Sequence, residues 1–512
     1  MFSTIYSGAL LGVEAYLVGV EVDIAQGLPY FSMVGLLGSE VKESRDRVCV
    51  ALKNAGMDIP PARITINLAP ADRKKEGTAF DLPIAVGVLE ALGYFPQTST
   101  EETLFLGELG LNGEVKKVRG VLPIVREAAA HGIKRCVIPK ENVMEGAVIP
   151  GIEVHGAACI EEVLNFLQCP EESLQILPPV RVDGAKLFAE KMGQVKNDFS
   201  EVSGQETAKR AAQIAAAGFH NLLMIGPPGA GKSMIAKRIP GILPNLTLEE
   251  SLEVTSVVSV AGLMKDKEAL ITTRPFQAPH HTISLPALTG GSQIPRPGMI
   301  SLAHRGVLFL DELPEFKRET LDSMRQPLEE HRIQIARIGG NVIYPADFML
   351  VAAMNPCPCG YYPDKNRCRC TEAQVKRYMS RVSGPILDRI DLCVELQPVD
   401  IMHLQERPAE NSAEMQKCVA IARKRQEKRF AGTTYRFNGD IEAADMERFC
   451  KLGQEERKTM EQLYHSLQLS ARAYHRILKV ARTIADLDDS DTIQKEHLLE
   501  AACYRPMSEY WR

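Results

Sequence analysis

The sequence predicts an α/β protein with two mixed α/β parts followed by an all-helical C-terminal part. Short apolar segments typical of buried strands alternate with helical segments over residues 1–168 and again over 198–398. Residues 399–512 show helical periodicity throughout, which predicts a separate helical domain. Residues 169–197 contain three prolines and no clear period, so we expect a linker there.

The composition restricts the class of protein. The 512 residues are 45% hydrophobic and 24% charged, which is ordinary for a globular chain, and the net charge is −5. No apolar run reaches the roughly 18 residues of a membrane helix, and the N-terminus lacks the basic start of a signal peptide. Eight of the twelve cysteines stand singly, as expected for reduced thiols. We therefore expect a cytoplasmic protein without a membrane partner, in which any nucleic-acid surface is local.

The N-terminal part has clear strand and helix signals. The segment "RITINLAP" (63–70) alternates as a half-buried strand does, and "FDLPIAVGVLEALG" (80–93) has helical spacing. The segment "VLPIVREAAAHGI" predicts a helix that ends at Gly132, and "RCVIP" predicts the strand that follows it.

The strongest chemical signal is the segment "NLLMIGPPGAGKSMIAKRI". An apolar strand precedes its glycine-rich turn and a helix follows it, which is the context that a phosphate-binding loop requires. Lys232 would reach the β- and γ-phosphates of ATP, and Ser233 would ligate Mg²⁺. The alternative is a chance glycine-rich turn. With the acidic residue of the next paragraph, the predicted nucleotide-binding residues are Gly226, Pro227, Pro228, Gly229, Ala230, Gly231, Lys232, Ser233 and Asp311.

An acidic pair follows about eighty residues later. In "GVLFLDELPEF", residues Val307 to Leu310 predict a buried strand that ends at Asp311 and Glu312. The carboxyl ends of parallel strands form the ligand crevice of such a sheet. Asp311 would hold the Mg²⁺ shell and Glu312 would polarise the attacking water, whereas the alternative is a solvated acidic turn.

Two further segments supply polar groups for phosphoryl transfer. "FMLVAAMNP" predicts a third strand that ends at Asn355, whose amide could position a water. "SGPILDRIDLCVEL" places Arg389 at the entry to a fourth strand, where it could act on the nucleotide of a neighbouring subunit. The alternative for Arg389 is an ordinary ion pair with Asp388 or Asp391.

The helical C-terminal part offers one more arginine for the site and one basic helix. Arg472 could reach the same nucleotide as Arg389, and Arg476, one helical turn later, is its rival. The basic helix could face nucleic acid, although a charge run is more often a solvated face. Its cationic residues are Lys417, Arg423, Lys424, Arg425, Lys428 and Arg429.

The other four cysteines cluster in "NPCPCGYYPDKNRCRC". Cys357 and Cys359 form one C-x-C pair, and Cys368 and Cys370 form a second pair eight residues later. Two thiolate pairs joined by a short polar loop can converge on one tetrahedral zinc ion. The alternatives are free thiols or a disulfide.

Two segments between the phosphate-binding loop and the third strand could contact a phosphate backbone. The insertion 244–305 is longer than a minimal α/β connection, and "RIQIARIGGNVIYP" predicts a hairpin that carries Arg332 and Arg337. The alternative is an ordinary surface hairpin with solvated arginines. His280 and His281 have no carboxylate or thiol at ligand spacing, which favours structural histidines over a metal site. The insertion residues considered for contact are Arg274, Phe276, His280, His281 and Arg296.

Taken in order, "GPPGAGKS", "GVLFLDELPEF", "AAMNP" and "SGPILDRIDL" resemble the AAA+ ATPases of the magnesium-chelatase/MCM branch. The stretches "QAPHHTISLPALTGG", "RPGMISLAHRG" and "NPCPCGYY" resemble the ComM/YifB subfamily, and the resemblance covers residues 1 to about 505. It assigns Lys232 and Ser233 to Walker A, Asp311 and Glu312 to Walker B, and Asn355 to sensor 1. It assigns Arg389 to the arginine finger and Arg472 to sensor 2.

The same resemblance implies a homohexameric, ATP-driven motor on single-stranded or branched DNA, with helicase or branch-migration activity in recombination or DNA uptake. The alternative is a chelatase- or chaperone-type ATPase that remodels proteins. A chelatase needs a metal motif of the D-x-S-x-S type in an integrin-like domain. This chain offers only Asp488-x-Ser490-x-Thr492, between two predicted helices.

The N-terminal part resembles the proteolytic domain of Lon, a ribosomal-S5-like fold, in "KKEGTAFDLPIAVGVLEALG" and "GELGLNGEVKKVRGVLPIVREAAAHGIKRCVIPKEN". Laid against the Ser–Lys dyad of Lon, Ala79 takes the position of the serine and Leu122 that of the lysine. Neither side chain can act as nucleophile or base, so we expect a scaffold or binding module rather than a protease. The neighbouring Thr78 is expected to be a turn residue without a base nearby.

Overall fold

The computed structural model describes residues 1–169, 172–191, 197–291, 295–337, 340–398 and 411–505. Parts of four predicted features lie outside the described residues. They are 170–171 and 192–196 of the linker, 292–294 of the insertion, 338–339 of the hairpin with the Arg337 side chain, and 399–410 and 506–512 of the helical domain.

The N-terminal part is an eight-stranded mixed sheet in the order β10-β9-β8-β5-β1-β2-β4-β3. The remaining pair, β6 and β7, forms a small antiparallel ribbon. The strands are β1 (Phe2–Leu11), β2 (Glu14–Ala25), β3 (Tyr30–Val34), β4 (Arg63–Ala69), β5 (Thr103–Phe105), β6 (Glu108–Leu109), β7 (Val115–Lys116), β8 (Arg135–Pro139), β9 (Glu153–Ala157) and β10 (Pro179–Val180).

The helices of this part pack on both faces of the sheet, whose strands contribute alternate residues to two hydrophobic cores. The predicted helices are confirmed, because α3 is buried along its whole length and α4 stops two residues before Gly132, which has φ +81°. The helices are α1 (Ser39–Lys42), α2 (Ser44–Asn54), α3 (Asp81–Ala91), α4 (Val121–Ala130), α5 (Val143–Gly146), α6 (Ile160–Gln168), α7 (Ser173–Ile176) and α8 (Gly184–Lys191).

The segment expected to be a linker, 169–197, contains regular structure in its described residues. β10 pairs antiparallel with β9, with Val180 opposite Val154, and so forms the edge of the N-terminal sheet. An edge strand tolerates proline because one side of its backbone needs no ladder partner, which explains how a proline-containing segment joins the sheet. Leu187 and Phe188 of α8 also pack on the N-terminal core. The correction is that these residues extend the N-terminal sheet and core.

The central part is a five-stranded parallel sheet in the order β12-β13-β16-β11-β17. Its middle strands are apolar runs buried at every position, as parallel strands covered on both faces must be. The predicted hairpin is confirmed by the antiparallel pair β14 and β15. The strands are β11 (Leu222–Ile225), β12 (Phe276–Gln277), β13 (Val307–Leu310), β14 (Arg332–Arg337), β15 (Gly340–Pro345), β16 (Met349–Met354) and β17 (Leu392–Glu395).

The helices of the central part flank this sheet. Among them α12 begins with a capping box in which the hydroxyl of Thr247 accepts from the Glu250 N–H. The helices are α9 (Glu206–Gly218), α10 (Lys232–Ala236), α11 (Ile239–Ile242), α12 (Leu248–Ala261), α13 (Leu285–Thr289), α14 (Met299–Leu302), α15 (Arg318–Asp322), α16 (Arg325–Glu330), α17 (Glu372–Met379) and α18 (Gly384–Leu387).

The C-terminal part is helical in its described residues, as predicted, and shares one hydrophobic core with the central sheet. Polar contacts also tie the two parts together. The Gln426 amide donates to the Ala217 carbonyl at 2.9 Å, and the ring of His220 bonds the hydroxyl of Thr483 at 2.8 Å. The helices are α19 (Ser412–Arg429), α20 (Met446–Phe449), α21 (Gln454–Ser466), α22 (Ala471–Leu487) and α23 (Lys495–Cys503).

Among the described residues, the N-terminal part packs on the central part along α12 and at the β14–β15 hairpin. Lys117 donates to the Met264 carbonyl at 3.0 Å and pairs with Asp266 at 2.9 Å, just beyond α12. The β1–β2 turn lies against the β14–β15 hairpin so closely that a Cβ on Gly12 would lie 2.7 Å from the Ile343 carbonyl oxygen. Within the described ranges, no helix combines the length and apolarity required to cross a bilayer.

Replacing Thr483 by valine should destabilise the joint between the central and helical parts. The hydroxyl is fully buried and bonds both His220 and the Asn438 amide, at 2.8 and 3.1 Å. An isosteric methyl leaves buried polar groups without that partner, at a cost of about 1–3 kcal/mol. Thermal unfolding should show a clear drop in midpoint. Thr492→Val, the same change at an exposed position, is the control, and an equal drop there would contradict this assignment.

Candidate functional site

The glycine-rich segment 226–231 forms a loop between the buried strand β11 and the helix α10. Its first residue, Gly226, donates its N–H to the Met354 carbonyl of the neighbouring strand at 3.2 Å. A Cβ there would lie 2.8 Å from the Leu396 carbonyl oxygen, so only glycine fits. Gly231 has φ +91°, which also favours glycine. The loop therefore turns tightly enough to present backbone N–H groups to a phosphate.

Lys232 is the first residue of α10 and is 8% exposed. Its ammonium donates to the carbonyls of Gly226 and Pro227, at 2.6 and 2.9 Å, and to the Asn355 amide oxygen at 3.0 Å. Burial lowers the pKa of Lys232, and the nearby carboxylate of Asp311 opposes that shift. The ammonium is thus held over the loop, where it can meet a phosphate.

Ser233 and Asp311 supply a pair of oxygen atoms beside the loop. Asp311 follows β13, and the hydroxyl of Ser233 donates to its carboxylate at 2.7 Å. A hydroxyl and a carboxylate are hard oxygen ligands of the kind that Mg²⁺ takes together with substrate phosphates. The predicted Mg²⁺ ligands therefore lie together.

Glu312 lies one residue further and has φ +52°. Its N–H donates to the Asp311 carboxylate at 3.0 Å, and its own carboxylate lies 3.3 Å from Nδ1 of His281. This contact was not predicted, because His281 was considered only for phosphate-backbone contact, as a metal ligand or as a structural residue. The available signal was position, since His281 shortly follows β12, a strand of the same parallel sheet.

Asn355 follows β16, which lies between β11 and β13. Its bond from Lys232 places its amide between the phosphate-binding loop and the acidic pair. The structure thus joins Lys232, Ser233, Asp311 and Asn355 by direct hydrogen bonds, with Glu312 adjacent.

Arg389 lies at the other end of the parallel strands, where β17 begins. It comes just before β17, and its carbonyl accepts from the side chain of Asn221, which comes just before β11. The phosphate-binding loop leaves the other end of β11, so the four-residue strand separates the two by about 13 Å of rise. The guanidinium pairs with Glu329, whereas the alternative interpretation named Asp388 or Asp391 as its partner. Arg389 therefore does not belong to the nucleotide site of its own chain.

The two candidate arginines of α22 differ in their contacts. Arg472 pairs with Asp388 at 2.9 Å and its side chain is 73% exposed. Arg476 donates to the carbonyls of Leu387 and Ile390, at 3.1 and 2.6 Å. Arg476 thus supports the backbone on both sides of Arg389, whereas Arg472 lies beside Arg389 and faces solvent.

The four clustered cysteines converge as predicted. Their sulfur atoms all lie within 4.8 Å of one another, with Cys357 3.3 Å from Cys359 and Cys368 3.6 Å from Cys359. A disulfide needs about 2.05 Å, so these sulfurs are not bonded. Four ligands at about 2.3 Å around one tetrahedral zinc would lie roughly 3.8 Å apart. The arrangement fits a metal ion.

Comparison with known proteins agrees with this geometry. Residues 198–404 match the family described as "Magnesium chelatase, subunit ChlI", residues 409–505 match "Magnesium chelatase, subunit ChlI C-terminal", and residues 20–142 match "Subunit ChlI of Mg-chelatase". "Uncharacterized protein YifB" of Escherichia coli K12 and "Competence protein ComM" of Haemophilus influenzae are each 44% identical to this chain over 505 residues. Those alignments cover 98% of this chain and 97% of each relative.

The chain belongs to the ComM/YifB family of magnesium-chelatase-like proteins. A more distant relative is the "Magnesium-chelatase 38 kDa subunit" of Rhodobacter capsulatus, 26% identical over 176 residues. That match covers 31% of this chain and 50% of the relative.

In this ComM/YifB family member, some residues considered for phosphate-backbone contact are engaged inside the protein. Arg274 is buried, bonds the Arg305 carbonyl at 2.7 Å, and has its pKa lowered to about 9 by burial. Phe276 stacks on Phe309 beneath the surface. The expectation of contact fails for Arg274 because its guanidinium satisfies buried carbonyls. Arg296 and Arg332 are exposed and could make such contacts.

In the basic helix α19, too, only some of the cationic side chains are exposed. Arg425 pairs with Asp489 and Asp491, Arg429 pairs with the fully buried Asp486, and Arg423 lies over the Phe437 ring at 4.3 Å. The arginines therefore hold the helical part together. The exposed cations of this helix are its lysines, namely Lys417, Lys424 and Lys428.

The Lon-like region lacks a protease site at the predicted positions. Leu122 is fully buried in α4 and has no group that accepts a proton. Thr78, next to Ala79, donates a hydrogen bond to the carboxylate of Glu108. This partner was not foreseen, because Glu108 lies thirty positions away and meets Thr78 only through the fold.

Proposed function

We propose that this protein is an ATP-hydrolysing motor of the ComM/YifB family that acts on DNA as a homohexamer. The observation that carries the proposal is the direct bonding of Lys232, Ser233, Asp311 and Asn355 at one edge of the parallel sheet. That edge is where nucleotides bind in open α/β sheets. Similarity to a protein named for competence supports DNA as the substrate. No cysteine of the chain is in a disulfide, which supports a cytoplasmic location.

Each residue of the site has a defined task in this proposal. The loop N–H groups and the Lys232 ammonium bind the phosphates of ATP. Ser233 and Asp311 hold Mg²⁺, which would neutralise charge on the phosphate oxygens. Glu312 accepts a proton from the attacking water while the bond from the γ-phosphorus to its bridging oxygen breaks, and Asn355 orients that water.

The proposed ring follows from where Arg389 lies. Because Arg389 is at the edge of the sheet away from the loop of its own chain, it could stabilise transition-state charge only at another chain's nucleotide. Arg472, exposed beside it, could reach the same nucleotide. A head-to-tail contact that repeats in this way closes into a ring when the rotation from one chain to the next permits closure.

We also propose that the cysteine cluster binds one structural zinc ion. Cys357, Cys359, Cys368 and Cys370 would supply all four ligands, which leaves no open position for catalysis. The N–H of Tyr362 donates to the sulfur of Cys357 at 3.4 Å and supports a thiolate there.

Single-stranded DNA should stimulate ATP hydrolysis by the purified full-length protein. The reason is that a motor couples turnover to its track, whereas an ATPase that remodels proteins gains nothing from DNA. The measurement is phosphate release at saturating ATP and Mg²⁺, with single-stranded, branched or no DNA. An equal rate under all three conditions would favour the protein-remodelling alternative.

Two variants serve as controls for this measurement. Lys232→Ala should lose nucleotide affinity in a direct titration, because the buried ammonium is removed. Glu312→Gln should retain nucleotide affinity but lose turnover, because an amide does not accept the proton. Turnover by Glu312→Gln near the parental rate would remove Glu312 from its proposed task.

Mixing two inactive variants should restore part of the ATPase activity. A ring made only of Arg389→Ala chains lacks the arginine at every site. A ring made only of Lys232→Ala chains lacks the lysine at every site. A mixed ring contains some sites where an intact Lys232 faces an intact Arg389, so partial turnover should return. Absence of recovery, in mixtures shown to form joint rings, would count against action between subunits.

Purified protein should contain about one zinc per chain. Elemental analysis of protein prepared without chelator gives this value directly. Replacing Cys368 and Cys370 by serine should abolish it, since the four sulfurs lie within 4.8 Å of one another. The matched control replaces the exposed single cysteines Cys418 and Cys503 by serine. Metal-free parental protein, or zinc that survives loss of Cys368 and Cys370, would disprove the site.

A further inference from the structure

The cysteine cluster makes contact with the phosphate-binding loop. Gly360, one residue after Cys359, has φ +87°, and a Cβ on it would lie 2.5 Å from Cδ and 2.8 Å from Cγ of Pro228. The backbone of Gly360 therefore packs directly on the proline ring in the loop between Gly226 and Lys232.

A second contact joins the same two segments. Asn355, two residues before Cys357, accepts the hydrogen bond of Lys232 at 3.0 Å. Between these contacts the chain turns back on itself, with the N–H of Gly360 donating to the Cys357 carbonyl at 3.0 Å. The phosphate-binding loop is thus held from one side by the start of the cysteine segment.

The cysteines and Tyr362 pack on the core of the central sheet, whereas the outer loop of the segment is exposed. Residues 363–367 are all exposed, and their backbone bonds close a local turn around Asp364, which accepts from the N–H of Cys368 at 2.7 Å. Of the four cysteines only Cys357 is fully buried. A metal ion bound by the four cysteines would cross-link the two ends of this exposed outer loop.

Pro228 is also exposed, as is the neighbouring Gly229. Its ring thus lacks a surrounding core, and Gly360 is packed directly on it. The position of this part of the loop depends on where the cysteine segment places Gly360.

We propose that the metal ion held by Cys357, Cys359, Cys368 and Cys370 keeps Gly360 against Pro228 and thereby sets the affinity of the phosphate-binding loop for ATP. This inference rests on the proposed nucleotide site and adds a regulatory role for the metal. Loss of the metal loosens the segment, withdraws Gly360 from Pro228, and lets the loop leave the shape that surrounds phosphate.

The first experiment compares zinc-loaded and zinc-depleted full-length protein. Zinc is removed with a chelator under reducing conditions, the chelator is removed, and Mg²⁺ is restored. Titration with a fluorescent ATP analogue should show a dissociation constant raised on the order of 10- to 100-fold. Addition of one equivalent of zinc should restore the affinity, and circular dichroism checks that the depleted protein is folded.

The second experiment changes the contact and leaves all four cysteines in place. Gly360→Ala should retain its zinc and lose affinity for the analogue to a similar extent, because its Cβ overlaps the Pro228 ring. The matched control is Gly432→Ala, since Gly432 has φ +77° but nothing within 4 Å of a built Cβ. Gly432→Ala therefore measures the effect of placing alanine at a positive φ, without any steric overlap of its Cβ. Adding Pro228→Ala to Gly360→Ala removes the overlap, so the two changes should be non-additive.

The outcomes separate this inference from the proposed function. Zinc-loaded parental protein that does not bind the analogue overturns the proposed nucleotide site. If the parental protein binds, the inference stands only when zinc removal and Gly360→Ala both weaken binding, Gly360→Ala retains zinc, and Gly432→Ala binds normally. Any other combination of these results overturns the inference about the metal and Gly360, and it does not contradict the proposed nucleotide site.

Discussion

The parallel alignment of β11, β13 and β16 is the constraint on which the candidate site depends. Their backbone hydrogen bonds put the last residues of all three strands at one edge, with Ile225 opposite Met354 and Leu310 opposite Ala352. Asp311 and Asn355 each come directly after the last residue of a strand, and Lys232 begins the helix that follows the loop after β11. Lys232 shows the result, because its ammonium bonds carbonyls of the loop after β11 and the amide after β16. The burial of these apolar strands thus sets the positions of the polar residues that follow them.

The same alignment places Arg389 just before β17, away from the phosphate-binding loop of its own chain. Polar contacts stabilise the backbone around Arg389. Arg476 donates to the two carbonyls that flank this residue, and the Asn221 amide donates to the carbonyl of Arg389 itself. The N-terminal part contacts the central part through Lys117 near α12 and through Gly12 at the β14–β15 hairpin. The N-terminal region therefore lies directly against that hairpin.

Much of the fold and the site could be predicted from local patterns. Strand β4, helices α3 and α4, the β14–β15 hairpin and the helical C-terminal part follow from periodicity and turn signals. The four cysteines converge because two short-spaced pairs on one loop have few other ways to meet. The segment 169–197 was harder, because β10 is two residues long and is a strand only through its pairing with β9.

The sequence alone was enough to identify the family and to predict which polar residues follow the buried strands, because apolar runs directly precede those residues. Only the tertiary structure decided which groups meet across long separations. His281 meets Glu312, Arg389 pairs with Glu329, Arg274 is buried, and Gly360 packs on Pro228. The physical reason is that spacing along the chain specifies periodicity and local turns. Contacts between distant segments depend on how strands order in a sheet and how loops fill the space beside it.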